Sequence, residues 1–114
     1  MEMDNSEDHW RWGKAVVSSL DRIRAESSTA VPIADFEVIP PFDGSPDGIF
    51  VWFIVDKASD VPTFRELCLS TATSRLHQEL GKTEFPSTAF GTFGFDVTSL
   101  EDIENGGGRF AYFR

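Results

Sequence analysis

The stretch Ile49-Phe50-Val51-Trp52-Phe53-Ile54-Val55 is the longest apolar run in the chain, built of β-branched and aromatic residues. Such a run predicts a strand that is covered on both faces or lies centrally in a sheet. It is far too short to span a bilayer. Just before it, Asp43-Gly44-Ser45-Pro46-Asp47-Gly48 is dense in turn formers and reads as a loop. Further upstream, Ala34, Phe36 and Val38 alternate with Asp35 and Glu37. That period of two predicts a half-exposed strand, stopped by Pro40-Pro41.

Working outward toward the start, Trp12, Val16, Leu20 and Ile23 recur at helical spacing, and a helix from about Ser6 to Ser27 follows. Residues 1–5 read as a frayed lead-in, and Asn5 or Ser6 as the helix cap. Downstream of the central run, Asp60 and Pro62 announce a second helix. Thr63 and Glu66 have capping-box spacing, and Phe64, Leu67, Cys68, Ala72, Leu76 and Leu80 mark one face. Gly81 is its natural stop. Thr88 to Val97 reads as a third strand with Phe93, Phe95 and Val97 on one side, Gly91 and Gly94 suggesting a bulge. Ser99 and Asp102 suggest the cap of one helical turn. Asn105-Gly106-Gly107-Gly108 reads as a flexible loop, and Arg109 to Arg114 as a fourth strand.

The resulting order is αββαββ in a single α+β domain spanning 1–114, with helix–hairpin halves at about 6–58 and 59–114. The expected architecture is a four-stranded, mainly antiparallel sheet with two helices packed on one face, which buries every apolar stripe named above. The same order arises if the first strand of a ferredoxin-like βαββαβ chain is moved to its end, so a permuted ferredoxin-like arrangement is a topological alternative.

Composition bounds the function classes. The 114 residues carry 19 acidic and 10 basic side chains, a formal net charge of −9. Such a field repels phosphate backbones and anionic membranes, so no nucleic-acid or membrane partner is expected. It would attract a basic protein and speed encounter with it. Eleven Phe against one Tyr favour a core of large apolar rings. The single cysteine, Cys68, and an acidic N-terminus without the pattern of a secretion signal point to a reducing, cytoplasmic setting.

The chemical motifs are weak. Phe93-Gly94-Phe95 shares an aromatic–glycine–aromatic core with the RNA-recognition motif. Gly91-Thr92, however, stands where that motif has a basic residue and a glycine, and Asp96 where it has Val. Gly106-Gly107-Gly108-Arg109 precedes an expected strand, not the helix N-terminus a phosphate loop needs. Asp43-Gly44-Ser45-Pro46-Asp47 offers too few ligands for a calcium loop. Cys68 falls on the apolar stripe as a buried thiol. His77, nine residues on, lies two and a half turns away on the opposite face and reads as a surface residue. No metal and no cofactor are expected.

The acidic clustering carries most information. Asp43, Asp47, Glu101, Asp102 and Glu104 fall in the connections between the expected strand pairs and form one negative rim if the halves pack in parallel. Trp10, beside Arg11, is a candidate aromatic anchor. The leading expectation is therefore a small protein-binding module. An immunity protein or antitoxin that inhibits a basic, nuclease-like toxin fits best, with those five carboxylates and Trp10 as docking residues. One alternative is a ligand-sensing or regulatory domain that dimerises through a strand edge. A second is a small enzyme using carboxylates such as Asp56 or Asp96 as acid and base.

Overall fold

The central run does form the middle of a sheet. In the computed structural model, which describes residues 3–26 and 30–113 and side chains from Arg11 onward, it is strand β2, Phe50–Val55. Strand β1, Asp35–Ile39, pairs with it antiparallel, and strand β3, Gly94–Ser99, pairs with it parallel on the other side. The sheet is thus three-stranded and mixed, in the order β1-β2-β3. Among the described residues five α-helices surround it: α1 Met3–Glu26, α2 Val61–Leu67, α3 Leu69–Leu80, α4 Leu100–Asn105 and α5 Arg109–Tyr112.

Strand register sorts the side chains onto two faces. Phe36, Val38, Val51, Phe53, Val55, Phe95 and Val97 share one face, by the alternation that a pleated strand imposes. Val16, Leu20 and Ile23 of α1 and Phe64, Cys68, Ala72, Leu76 and Leu80 of α2–α3 close over it to form the main core. The expected helical stripes therefore point inward, with Leu76 and Leu80 fully buried. The opposite face carries Asp35, Glu37 and Ile39 of β1, Phe50, Trp52 and Ile54 of β2, and Gly94, Asp96 and Thr98 of β3. It is covered in part by α4 and the residues after it, with Ile54, Ile103 and Thr98 buried beneath them.

Four expectations need correction. First, Arg109–Tyr112 is a helical turn, so the fourth strand, the mainly antiparallel sheet and the permuted ferredoxin-like alternative are all ruled out. The cause lies just upstream: Gly107 and Gly108 adopt φ 96° and 93°, which only glycine takes readily, and turn the chain back over the sheet. Secondly, β3 runs parallel to β2, because α2–α3 carries the chain back to the end of the sheet where β2 began. The second half thus runs helix, helix, strand, helix, helix.

Thirdly, the second helix is interrupted at Cys68, at φ −120° and ψ −27°. Cys68 N–H still donates to Phe64 O and Ala72 N–H to Cys68 O, so the two segments share one apolar stripe. Leu67 falls outside that stripe and is exposed. The Thr63–Glu66 capping box does not form; Asp60 is the N-cap, without a side-chain bond. Fourthly, the third strand starts six residues late, after a 3-10 segment at Ser87–Thr92. Gly94 makes no bulge. It pairs directly with Phe50, whose ring would stand 2.4 Å from any Cβ added there.

Helix α1 begins at Met3, three residues ahead of the expected start at Ser6; residues 1, 2 and 27–29 lie outside the described residues. The Ser99 cap is present as expected, its hydroxyl accepting from Asp102 N–H at 3.0 Å and donating to the Asp102 carboxylate at 2.9 Å.

Candidate functional site

The five carboxylates expected to form one rim stand at opposite ends of the sheet. Asp43 and Asp47 lie exposed in the β1–β2 connection, at the end where β2 begins. Glu101, Asp102 and Glu104 lie on α4, which follows the end of β3. Because β2 and β3 are parallel, a strand length of roughly 20 Å separates the two groups. Two of the α4 carboxylates also have local work. Glu101 Oε1 accepts from Ala58 N–H at 2.6 Å, and Asp102 closes the Ser99 cap. Asp43 Oδ1 accepts from Ser45 N–H at 3.0 Å, a turn bond. The side chain of Trp10 lies outside the described residues.

The residues brought together instead lie on the partly covered face. Trp52 stands at its centre, opposite Glu37 of β1 on one side and Asp96 of β3 on the other. The chain after the triple glycine crosses this face. Arg109 donates to Asp35 Oδ2 at 2.6 Å, to Glu37 Oε1 at 2.7 Å, and to the Phe36 carbonyl. Tyr112 OH meets Thr98 Oγ1 at 2.6 Å. The rings of Tyr112 and Phe113 approach Trp52 with centroids at 6.5 and 5.6 Å. Beside them is an open hollow of about 550 Å³ lined by Glu37, Arg109, Phe110 and Phe113. Phe110 is 80% exposed, and Phe42, in the loop beyond β1, is 97% exposed.

The electrostatics follow from this packing. Burial alone would raise the Asp35 carboxyl, but bonds from Arg109 and Phe36 N–H, with the charges of Arg109 and Arg24, hold it below its ordinary value. Burial would lower Arg109, yet its bonds to Asp35 and Glu37 raise it. A guanidinium held by two carboxylates and a carbonyl makes a stronger and more directional contact than a single surface pair. Arg109 and Asp35 also occupy the outer edge of β1: one takes the Phe36 carbonyl, the other its N–H. At the far edge Asp96 Oδ1 accepts from Val97 N–H and from Arg65.

The two enzyme candidates do not come together. Asp96 is engaged as just described, and Asp56, exposed beyond the end of β2, lies roughly 13 Å further along the sheet. No cluster of three or more metal-ligating side chains occurs among the described residues. Nor is any helix among them long and apolar enough to cross a membrane.

His77 is not the surface residue the spacing suggested. Its ring stacks on Phe90 at 4.6 Å and meets Phe93 and Phe95 edge-on at 5.7 and 5.9 Å. Its Nε2 is buried without a hydrogen-bond partner, and burial lowers its pKa. Cys68 is a buried free thiol, as its place on the stripe implied.

Sequence reasoning missed Asp35, Glu37, Trp52 and Arg109. One signal was present: the alternation that turns Phe36 and Val38 inward places Asp35 and Glu37 together on the other face. Comparison with models of known protein families, with characterised proteins and with solved structures finds no match for this chain.

Proposed function

We propose that the chain is a protein-binding module for a basic partner and that it docks through the partly covered face of the sheet. One observation carries this reading: large aromatic side chains, Trp52, Phe110 and Phe113, are gathered around the carboxylates of Asp35 and Glu37. Aromatic anchors beside charged groups are the usual make-up of an interface centre. The net charge of −9 supports a basic partner through steering, a long-range effect that does not need the acids on one rim. Inhibition of a basic, nuclease-like toxin, in the manner of an immunity protein or antitoxin, is the task that suits this combination. In that role Asp43 and Asp47 act at one end of the face and Glu101, Asp102 and Glu104 at the other, as two steering groups. The strand-edge homodimer has less support, since side chains take up the Phe36 and Val97 edge positions.

The test is affinity capture with the wild-type chain, Phe42→Ala, Asp47→Lys and the double variant, at low and high salt. Both side chains are exposed and lie outside residues 109–113, so these variants keep the fold. A basic partner should be captured by wild type, weakened by salt and lost in the double variant. A partner held equally by all variants, or indifferent to salt, would overturn the reading.

A further inference from the structure

Residues 109–113 behave as a tethered ligand more than as a structural element. Helix α5 has four residues and no buried side chain, too short to hold its own shape. It hangs from Gly106-Gly107-Gly108, a segment with two positive-φ glycines. Its grip on the sheet is that of a recognised peptide. One arginine sits between two carboxylates and a strand carbonyl, and aromatic residues three and four positions later lie against a tryptophan.

The geometry points to a peptide-docking site beneath this tail, made by Asp35, Glu37, the Phe36 carbonyl, Trp52 and Thr98. It takes a partner segment that carries an arginine followed by aromatic side chains, and residues 109–113 fill it in cis until that segment displaces them. The inference rests on the docking reading above and adds the occupant. The occupant's chemistry is read from residues 109–113 themselves, which lie on this surface. Charge favours a separate basic protein over the same segment of a second copy: a second copy brings another net −9, whereas a basic partner gains attraction as it approaches.

Cis occupancy lowers the apparent affinity for any incoming segment by the fraction of time the site is filled. Loosening the tail must therefore tighten binding in trans. The test uses the full chain and a capped, fluorescent peptide of the sequence Gly107 to Phe113, read by anisotropy and by amide chemical-shift mapping. Arg109→Ala should bind the peptide about tenfold tighter than wild type, equivalent to one strong contact released. The shifts should centre on Phe36, Trp52 and Thr98. Tyr112→Phe, which removes only the Thr98 bond, should show a rise of about fivefold, and it carries the test if Arg109→Ala does not fold. Adding Asp35→Asn and Glu37→Gln to Arg109→Ala should abolish binding, as should alanine in place of the peptide's arginine.

Equal binding by wild type and both loosened variants overturns the proposal, as does a shift map centred elsewhere. Sedimentation that shows wild-type dimers sharing tails would assign the surface to a second copy and overturn it too. A basic protein captured by wild type and Arg109→Ala with equal affinity would leave the docking module standing and remove the cis-filled site. Conversely, tight peptide binding by Arg109→Ala with no salt-sensitive partner captured by any variant would remove the docking reading, leaving an internal contact alone.

Discussion

Phe53 and Trp52 are chain neighbours in the same strand, yet they belong to different kinds of surface. Phe53 points into the helix-covered face, fully buried, with Phe64 and Phe95 at 5.7 and 6.2 Å. Trp52 points the other way, half-buried, toward a carboxylate on each neighbouring strand and a short tail that covers it. One face is closed by long helices and holds the fold. The other is covered by α4 and, over Trp52, by the short segment that follows the glycines, whose release would leave the core in place. On the reading proposed above, stability and exchangeable contact are separated by the thickness of one sheet.

The sharpest way to break this comparison is to delete one ring from each face. Phe53→Ala should cost about 3–5 kcal/mol, enough to threaten folding, because a close-packed core cannot collapse around the lost ring. Trp52→Ala should cost roughly 2 kcal/mol, since part of its area is in contact with water already. Urea unfolding of both variants measures the gap. Equal losses would mean that the tail face is as much core as the other, and the tethered-ligand argument would fall.

A smaller effect separates contact from cover. Thr98 is buried, and its hydroxyl meets Tyr112 OH at 2.6 Å. Tyr112→Phe should cost about 1 kcal/mol by leaving that hydroxyl unpaired, and Thr98→Val combined with Tyr112→Phe should cost no more than either alone. Additive losses in chemical denaturation would show that the two hydroxyls do not act as a pair.

The same contrast explains what could be read from the chain. The stripes of α1 and α3 and strand β1 obey a local period, and β2 is an unbroken apolar run, so Val16, Leu20, Leu76 and the strand around Phe53 announce their burial. Strand direction carries no such local mark. Nothing in Phe95 or Val97 says whether β3 runs with β2 or against it, and the single acidic rim depended on that choice. The tail misled for a related reason. Phe110, Tyr112 and Phe113 have strand-like composition, but their place is fixed by Arg109 reaching Asp35 and Glu37, more than seventy residues away in sequence. His77 was misplaced because the rings around it come from Phe90, Phe93 and Phe95 of another segment.

The smallest expected effect distinguishes the faces by pH. Asp35, on the tail face, has a pKa held below its ordinary value, so it favours the folded state at higher pH; that contribution is lost as pH falls below about 4. His77, at the border of the helix-covered face, has its pKa lowered by burial. A base whose folded pKa lies below its unfolded value near 6.5 binds more protons when unfolded, so stability falls as pH drops below about 6.5. No charged residue occurs from Phe85 to Phe95 to offset a proton on the ring. His77→Phe keeps an aromatic ring against Phe90 and removes the orphaned Nε2. It should hold stability within about 1 kcal/mol at neutral pH and flatten the slope between pH 5 and 7, where histidine alone titrates among ordinary side chains. Asp35→Asn should leave that slope unchanged, lower stability across the neutral range and converge on wild type in stronger acid, where the carboxyl is protonated in both states. Thermal unfolding of the two variants across pH separates the two windows, and a neutral-range slope that survives His77→Phe would mean the aromatic stack around His77 does not govern it.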